Sequence, residues 1–504
     1  MKRVILLFVV FTVVLPGCEA PKEDPFEAVR ERIEQLVAKG TDPSLAVAVA
    51  RKGEIIWEEG FGYANREQNI SATEHTVYNV SSVSKPITAT GLMVLVERGL
   101  IELDGSVNAY LTDSKLHSCV GEVTEAATIR GLANHTAGLP NHFLFVYGDQ
   151  PLDPLPMEEI ILRHGNLVSV PGERWLFSNL GYGVLGEIIS AQSGKSFEEF
   201  MREEVFLPLG MSNTSVGIDP GPAEHQAVQY NSDLVALPAR TYDTPAALGI
   251  YSSAHDLIRF AMFHLKDQLP DQKAIINEAA LDEMQRPTAA PYSAGYGIGW
   301  FIIDGKDGLR RVSHSGATAG ASANLVLLPE EDVAVVVLSN TSSSSHEDIA
   351  KEILAALFPD KFIPQDIFDL EDEPSFSLDP ELIGLWQGLI FTHRGEIPVA
   401  LEIFEGGEPV VVQLGLGEEQ KAMLNNVSYV DDSLFFQSSG GGPFLRGCFS
   451  GSLSTEEMIW LPPAGLCFEL KLRDDTLTGS LLAVSSSDQR GGYSLSHCVL
   501  MWKE

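Results

Sequence analysis

The stretch Val80-Ser81-Ser82-Val83-Ser84-Lys85-Pro86, followed by the apolar run Ile87 to Leu100, decides how this chain is read. Ser82 and Lys85 stand in S-x-x-K spacing. Behind them Ile87, Leu92, Leu95 and Val96 recur at helical intervals, and Gly99 supplies a stop, so the run predicts a helix. Residues three apart on a helix share a face, which brings the Ser82 hydroxyl and the Lys85 amine together. A serine hydroxyl is a weak nucleophile until something takes its proton, and a lysine in a dry pocket can shed its charge to do so. Exposed N–H groups at the helix N-terminus also favour negative charge developing beside Ser82. Alone, the spacing is common by chance and describes no more than a helix start with a surface lysine. Its weight comes from residues further along.

At 504 residues the chain predicts two domains, and 44% hydrophobic with 20% charged residues is an ordinary soluble composition with material for a core. A net charge of −35 argues against nucleic acid or anionic lipid as a partner. Basic arms and zinc-ligand spacings are missing too, so nucleic-acid readout has no support.

The first residues read as an address. Lys2 and Arg3 precede an apolar run from Val4 to Leu15, too short to span a bilayer at about 20 residues. The run ends in Leu15-Pro16-Gly17-Cys18, which resembles a bacterial lipoprotein signal, with Cys18 as the lipidated residue. Pro16 departs from that pattern and leaves an ordinary secretory signal as the alternative. Glu19 after Cys18 leans towards the outer membrane in a cell that has one. Either way the expectation is an exported protein of the cell envelope, with residues 1–18 as signal and 19–26 as tether. Of the other cysteines, Cys448, Cys467 and Cys498 fall near the C-terminus and Cys119 stands apart. A disulfide among the last three suits an oxidising compartment, although spacing does not fix the pairing.

Phe26 to Ala38 reads as an amphipathic helix, and Leu45–Ala50 with Glu54–Glu58 as a hairpin. Helices and loops dominate to about residue 290. Strands at Leu309–His314, Ser322–Leu328 and Val333–Leu338 and a helix at Ile349–Leu357 follow. Strands at both ends of a helical middle predict one sheet built from both chain ends with helices packed on it, an α+β domain over 27–358. An acidic, proline-bearing segment makes 359–380 a linker. Beyond it, short apolar runs between Gly, Ser and Asp turns (Ile383–Phe391, Pro398–Phe404, Val410–Leu414, Leu434–Gln437, Met458–Leu461, Cys467–Leu472, Leu495–Trp502) predict a separate antiparallel β domain over 381–504, a barrel or sandwich. It shows no cluster of reactive groups, so its expected role is structural, or to hold a partner or lid near the first domain.

Two further stretches bear on Ser82: Phe177-Ser178-Asn179 inside Pro171–Gly186, and His314-Ser315-Gly316 with Ala317 behind it at a strand end. With Ser82 and Lys85, in this order and roughly a hundred or more residues apart, they form a set that resembles the serine β-lactamase and penicillin-binding superfamily. The nearest branch is the one holding class C β-lactamases, D-alanyl-D-alanine carboxypeptidases and related esterases. Thr128-Ile129-Arg130-Gly131-Leu132-Ala133-Asn134-His135-Thr136-Ala137-Gly138-Leu139-Pro140, Gly249-Ile250-Tyr251-Ser252-Ser253 and Tyr296-Gly297-Ile298-Gly299-Trp300 are similar to loops of that branch. The likeness covers about residues 27–357.

The resemblance implies a β-lactamase/transpeptidase-like fold, an antiparallel sheet flanked by helices. It implies that Ser82 forms an acyl-enzyme, that Lys85 takes or relays its proton, and that the N–H groups of Ser82 and Ala317 make an oxyanion hole. Asn179 would bond the substrate's amide. His314, Ser315 and Gly316 would line the opposite wall, with His314 either in a proton role or as wall alone, and His135 would pack a loop. No metal or organic cofactor is called for. The substrate would be a small molecule or a peptidoglycan-derived one: an ester, a β-lactam or a D-amino-acid peptide.

Phe177 departs from the family, whose second motif usually begins with a proton-shuttling tyrosine. A phenyl ring neither accepts nor donates a proton. Three readings stay open. Lys85, aided by water or His314, does the proton work alone; the enzyme handles esters with good leaving groups; or the domain is a catalytically silent envelope binding protein using the same cleft.

Overall fold

The computed structural model describes residues 24–150, 153–218, 225–290, 294–364, 380–403 and 492–504, and between 412 and 484 the strands named below. The signal 1–18 with Cys18, most of the tether, the linker core 365–379 and the expected strands Leu434–Gln437 and Met458–Leu461 lie outside the described residues.

The strand Ser44–Arg51 pairs antiparallel on one side with Glu54–Asn65 and on the other with Val333–Ser339, from Leu45↔Ser339 to Arg51↔Val333. Chain ends nearly three hundred residues apart thus share one sheet, whose order continues through Ala321–Leu328, Arg310–Thr318, Phe301–Asp304 and Gly295–Tyr296. Alternation sorts the two faces. Leu45, Val47 and Val49, with Val333, Val335 and Val337, pack under the terminal helices Glu27–Lys39 and Ser345–Leu357. Ala46, Ala48 and Ala50, with Ala334, Val336 and Leu338, face the helical middle, where the small alanines admit the Ala254–His264 helix. Both faces are covered, so these strands read as unbroken apolar runs.

The central helix is Ser84–Glu97, entered through a single 3₁₀ turn at Ser81–Val83 and ended by Gly99 at φ +71°. It begins one turn earlier than the apolar run suggests, because Pro86 is tolerated in a first turn whose N–H groups have no intrahelical partner. Every residue from Ser84 to Leu95 is buried. A helix enclosed on all sides carries no amphipathic stripe to mark its limits.

The C-terminal segment forms an antiparallel sheet in the order Gln420–Met423, Val412–Leu416, Gly395–Ile403, Gly384–Thr392, Tyr493–Lys503, Thr476–Val484, Gly465–Arg473, Phe444–Phe449, Asn425–Val430. Its first and last long strands are neighbours, and one apolar cluster including Trp386, Leu401, Phe468, Leu481, Val499 and Met501 serves it.

This domain is β-rich as expected, but it is not free-standing. Tyr493 and Ser494 pair with Leu144 and Phe143 of a first-domain strand, Phe143–Tyr147, which in turn pairs with Arg240–Tyr242. Cys498 is bonded to Cys119, not to a neighbour in the last sixty residues. Cys467 is also disulfide-bonded, and the ladder sets Cys448 opposite it. The sequence order hid the inter-domain bond because its partners lie 379 residues apart.

The Cys119–Cys498 bridge should hold the halves together covalently. With a protease site engineered between 365 and 379, cleaved protein should run as one band without reductant and as two with it. Two bands under both conditions would contradict the pairing. Cys498→Ser should lower the unfolding free energy by the roughly 2–5 kcal/mol typical of a native disulfide, read as a lower melting temperature.

Candidate active site

Between Thr76 and Leu95 every residue is buried except Ser82, which is partly exposed. The turn before the central helix therefore presents one hydroxyl to the cleft. Lys85 lies one helical step behind it, fully buried. Its Nζ is 3.0 Å from Ser82 Oγ, 2.7 Å from Asn179 Oδ1 and 3.3 Å from the Ala247 carbonyl. None of these partners carries a negative charge, and burial holds the amine well below its ordinary pKa. In the neutral amine two N–H bonds suit the two carbonyl-type oxygens, which leaves the lone pair for the Ser82 O–H.

Asn179 is set by the start of the Asn179–Ser193 helix. Ser178 caps that helix, its Oγ accepting from Gly181 N–H at 2.9 Å and donating to the Pro140 carbonyl at 2.8 Å. Asn141 Oδ1 accepts from both the backbone N–H and the side-chain Nδ2 of Asn179, at 3.2 and 3.0 Å, so Asn179 turns its oxygen to Lys85. Sequence reading missed Asn141; following Pro140, it reads only as a turn residue.

Phe177 packs on the same amine, its ring centroid 4.6 Å from Nζ, with Tyr182 at 5.7 Å. His135 stacks on Phe177 at 4.7 Å, its Nδ1 accepting from Ser178 N–H, which places it in the loop packing. The Tyr182 hydroxyl donates to the Ala133 carbonyl and makes no bond to Lys85 or Ser82.

On the opposite wall, the two-residue turn Ala319-Gly320 makes Thr318↔Ala321 the hydrogen-bonded closing pair of its hairpin. Ser315 and Ala317 then turn their N–H groups to the other edge, where the Phe301–Asp304 strand stops pairing at Ser313. Gly316 abuts the Ser82 backbone so closely that a Cβ there would lie 2.5 Å from Ser82 N. Only glycine lets the strand edge reach the nucleophile. His314 is buried, and burial together with nearby Lys85 lowers its pKa to about 3. Its Nδ1 donates to the Ser315 carbonyl at 2.7 Å, so its Nε2 accepts from the Tyr296 hydroxyl at 3.1 Å. Both nitrogens are engaged, and neither bonds to Ser82 or Lys85. The expected set Ser82, Lys85, Phe177, Asn179, Ser315, Gly316 and Ala317 therefore gathers around one cleft, while His314 stands in its wall. Among the described residues no group of three or more His, Cys, Asp or Glu is placed to hold a metal ion. A separate cavity of about 440 Å³ lined by Met157, Gly183, Glu187 and Phe197 includes none of these site residues.

The β-lactamase family model matches residues 29–358. A penicillin-binding protein of Bacillus subtilis is 28% identical over 327 residues, covering 60% of this chain and 69% of its own. Protein flp of Staphylococcus aureus is 23% identical over 338 residues, 64% of either chain. The chain thus spans about two thirds of the length of these relatives. Among solved structures, a class C β-lactamase superposes with TM-score 0.57 at 20% identity, covering 68% of this chain and 98% of its own. An octameric penicillin-binding protein homologue from Pyrococcus abyssi does so with TM-score 0.56 at 22% identity, over 94% and 99%. The fold likeness to the second extends through the C-terminal domain.

The loop carrying Phe177 and Asn179 is also held from that domain. Glu173 takes an ion pair from Lys471 at 2.6 Å and another from Arg473, accepts from Ser169 Oγ at 2.9 Å, and has its side chain largely covered; next to it, Arg174 pairs with Glu469. Burial pushes the Glu173 carboxyl up, but Arg473 and Lys471 outweigh it and hold it at about 2. Its folded pKa lies below the unfolded value, so its contribution is present above the unfolded pKa near 4.5 and is lost as pH falls towards 2. Glu173→Gln should lower stability near pH 7 by on the order of 2 kcal/mol and flatten the loss of stability between pH 4.5 and 2. Acid denaturation curves of the two proteins that keep a constant offset would refute this.

Proposed function

Because the chain belongs to the β-lactamase family, and so to the serine hydrolases, we propose that it cleaves esters or amides through an acyl-enzyme on Ser82. Ser82 Oγ bonds to the substrate carbonyl carbon while its proton passes to the Lys85 lone pair. The carbonyl oxygen, now negative, is received by the N–H groups of Ser82 and Ala317; losing one such donor typically costs about 10²–10³ in rate. The intermediate collapses as the bond to the leaving group breaks, and that group takes the proton from Lys85. Water then releases the acid by the same steps in reverse. The observation that carries this reading is the dry amine 3.0 Å from a partly exposed hydroxyl, with no carboxylate among the described residues paired to it.

Phe177 divides two tasks that a tyrosine would combine. Its ring face still steadies the positive charge Lys85 acquires, worth about 0.5–2 kcal/mol. It cannot pass a proton to the leaving group. That favours substrates whose leaving groups need little acid assistance, such as activated esters and strained lactams. It equally supports the second reading, a silent envelope binding protein. His314 enters as wall, with its Nε2 already occupied. Export fits the Cys119–Cys498 disulfide, which belongs to an oxidising compartment. Among the described residues no helix is long and apolar enough to cross a membrane, and we propose attachment through Cys18.

Intact-protein mass spectrometry tests the nucleophile. A penicillin or a small activated ester should leave an adduct on the native protein and none on Ser82→Ala; no adduct from either probe would sink the hydrolase reading in favour of the binding protein. Phe177→Tyr should then shorten the adduct's lifetime by on the order of 10²-fold, the usual worth of a general acid–base group. An unchanged lifetime would mean that Lys85 already does this work.

A further inference from the structure

Four arginines of the described residues are buried: Arg174, Arg240, Arg259 and Arg311. Three have a carboxylate partner, Glu469 for Arg174, Asp271 for Arg259 and Asp307 for Arg311. Arg240, 2% exposed, has none among the described residues. Its guanidinium is met by neutral oxygens alone: Nε donates to the Tyr242 hydroxyl at 2.8 Å, Nη1 to the Tyr147 hydroxyl at 3.3 Å, and Nη2 to Thr318 Oγ1 at 2.8 Å. The rings of Phe145, Tyr242 and Tyr147 stand 4.9, 5.2 and 5.9 Å from its centre. A guanidinium offers five N–H donors, so two are left over. The neighbouring Tyr251 hydroxyl is buried beside Tyr242 and raises the number of phenols around the guanidinium to three. Holding a cation away from water without a counter-charge is expensive, and an anion reaching it would offset that cost.

Arg240 and Tyr242 also line the separate cavity described above, and Thr318 is the contact that joins the guanidinium to the Ser82 side. It lies two residues beyond Gly316 on the wall strand, and alternate side chains share a face. Gly316 abuts Ser82 N, so Thr318 projects on the nucleophile's side, roughly 6–7 Å further along. It is half-buried and its Oγ1 accepts from the guanidinium. The Arg240–Tyr242 strand pairs with Phe143–Tyr147, which begins two residues after Asn141, the residue that orients Asn179. The cation box therefore flanks the side of the cleft given to the substrate's amide, the acyl side.

We infer that Arg240, with the phenols of Tyr147 and Tyr242, binds a carboxylate carried on the acyl part of the substrate, an inference that rests on the Ser82 acyl-enzyme reading. A carboxylate displacing the Thr318 hydroxyl would meet the Nη groups and supply the missing charge. The preferred substrates are then esters or amides of acyl groups that end in a carboxylate a few bonds from the scissile carbonyl.

The test compares p-nitrophenyl butyrate with the mono-p-nitrophenyl esters of glutarate and adipate, which share a leaving group. The native protein should favour an anionic ester by about 10-fold or more in kcat/KM, Arg240→Lys should keep part of that ratio, and Arg240→Gln should bring it near unity. Because the ratio is taken within each protein, general damage cancels. Should Arg240→Gln not fold, the native protein decides: glutarate should slow acylation by the butyrate ester competitively, and glutaramide should not. Calorimetry with glutarate separates the two readings. Glutarate binding that Arg240→Gln weakens about 10-fold, in a protein no ester acylates, overturns the hydrolase and keeps the anion site. Acylation with no preference for the anionic esters and no glutarate binding overturns the anion site alone, and so does a preference that survives Arg240→Gln.

Discussion

A primary amine sealed away from water sets the terms for this structure. Lys85 sits on a helix enclosed on every side, and the cost of charging it there is met by no carboxylate. Its environment consists of two carbonyl-type oxygens, one hydroxyl and two aromatic faces, and each suits the neutral form or the brief cation that follows proton capture. Much of the surrounding architecture keeps that amine dry. The alanine face of the sheet brings helices close, the Ser178 cap fixes the loop over it, and Gly316 lets the wall strand close against Ser82. An Asp or Glu in place of Asn179 would keep Lys85 charged and end its use as a base.

The second domain takes part in this enclosure. A strand, a disulfide and buried ion pairs tie it to the segments that hold Asn141, Phe177 and Asn179. Contacts of this kind make the two domains one mechanical unit, in contrast with the polar, mobile interfaces common between domains of one chain.

How much of this was legible follows from what each residue responds to. Ser82, Lys85 and the glycine of His314-Ser315-Gly316 answer to local geometry, so their spacing and neighbours exposed them. The sheet from both chain ends was legible because Leu45–Ala50 and Val333–Leu338 are too apolar to face water on either side. Asn141 and Arg240 were not: an asparagine after proline reads as a turn, and an arginine's burial is decided by strands far from it in sequence. Phe143-Leu144-Phe145-Val146-Tyr147 carries a β signal in its aromatic and branched residues, but it is a single short run between helical and loop segments, with no neighbouring strand in sequence to pair with. The inter-domain disulfide had no local mark at all. The position of His314 leaves a proton role and a wall role both open, and the Tyr296 hydroxyl, brought in from another strand, occupies its lone pair.

The Cys119–Cys498 bond also bears on when the molecule is finished. Cys498 lies on the last strand, and its thiol meets Cys119 only after that strand has found its place between Gly384–Thr392 and Thr476–Val484. The strand Phe143–Tyr147 likewise waits for Tyr493 and Ser494, residues made more than three hundred positions later. Oxidation at Cys498 fastens that strand to the segment around Cys119 and so preserves the alignment of the two halves.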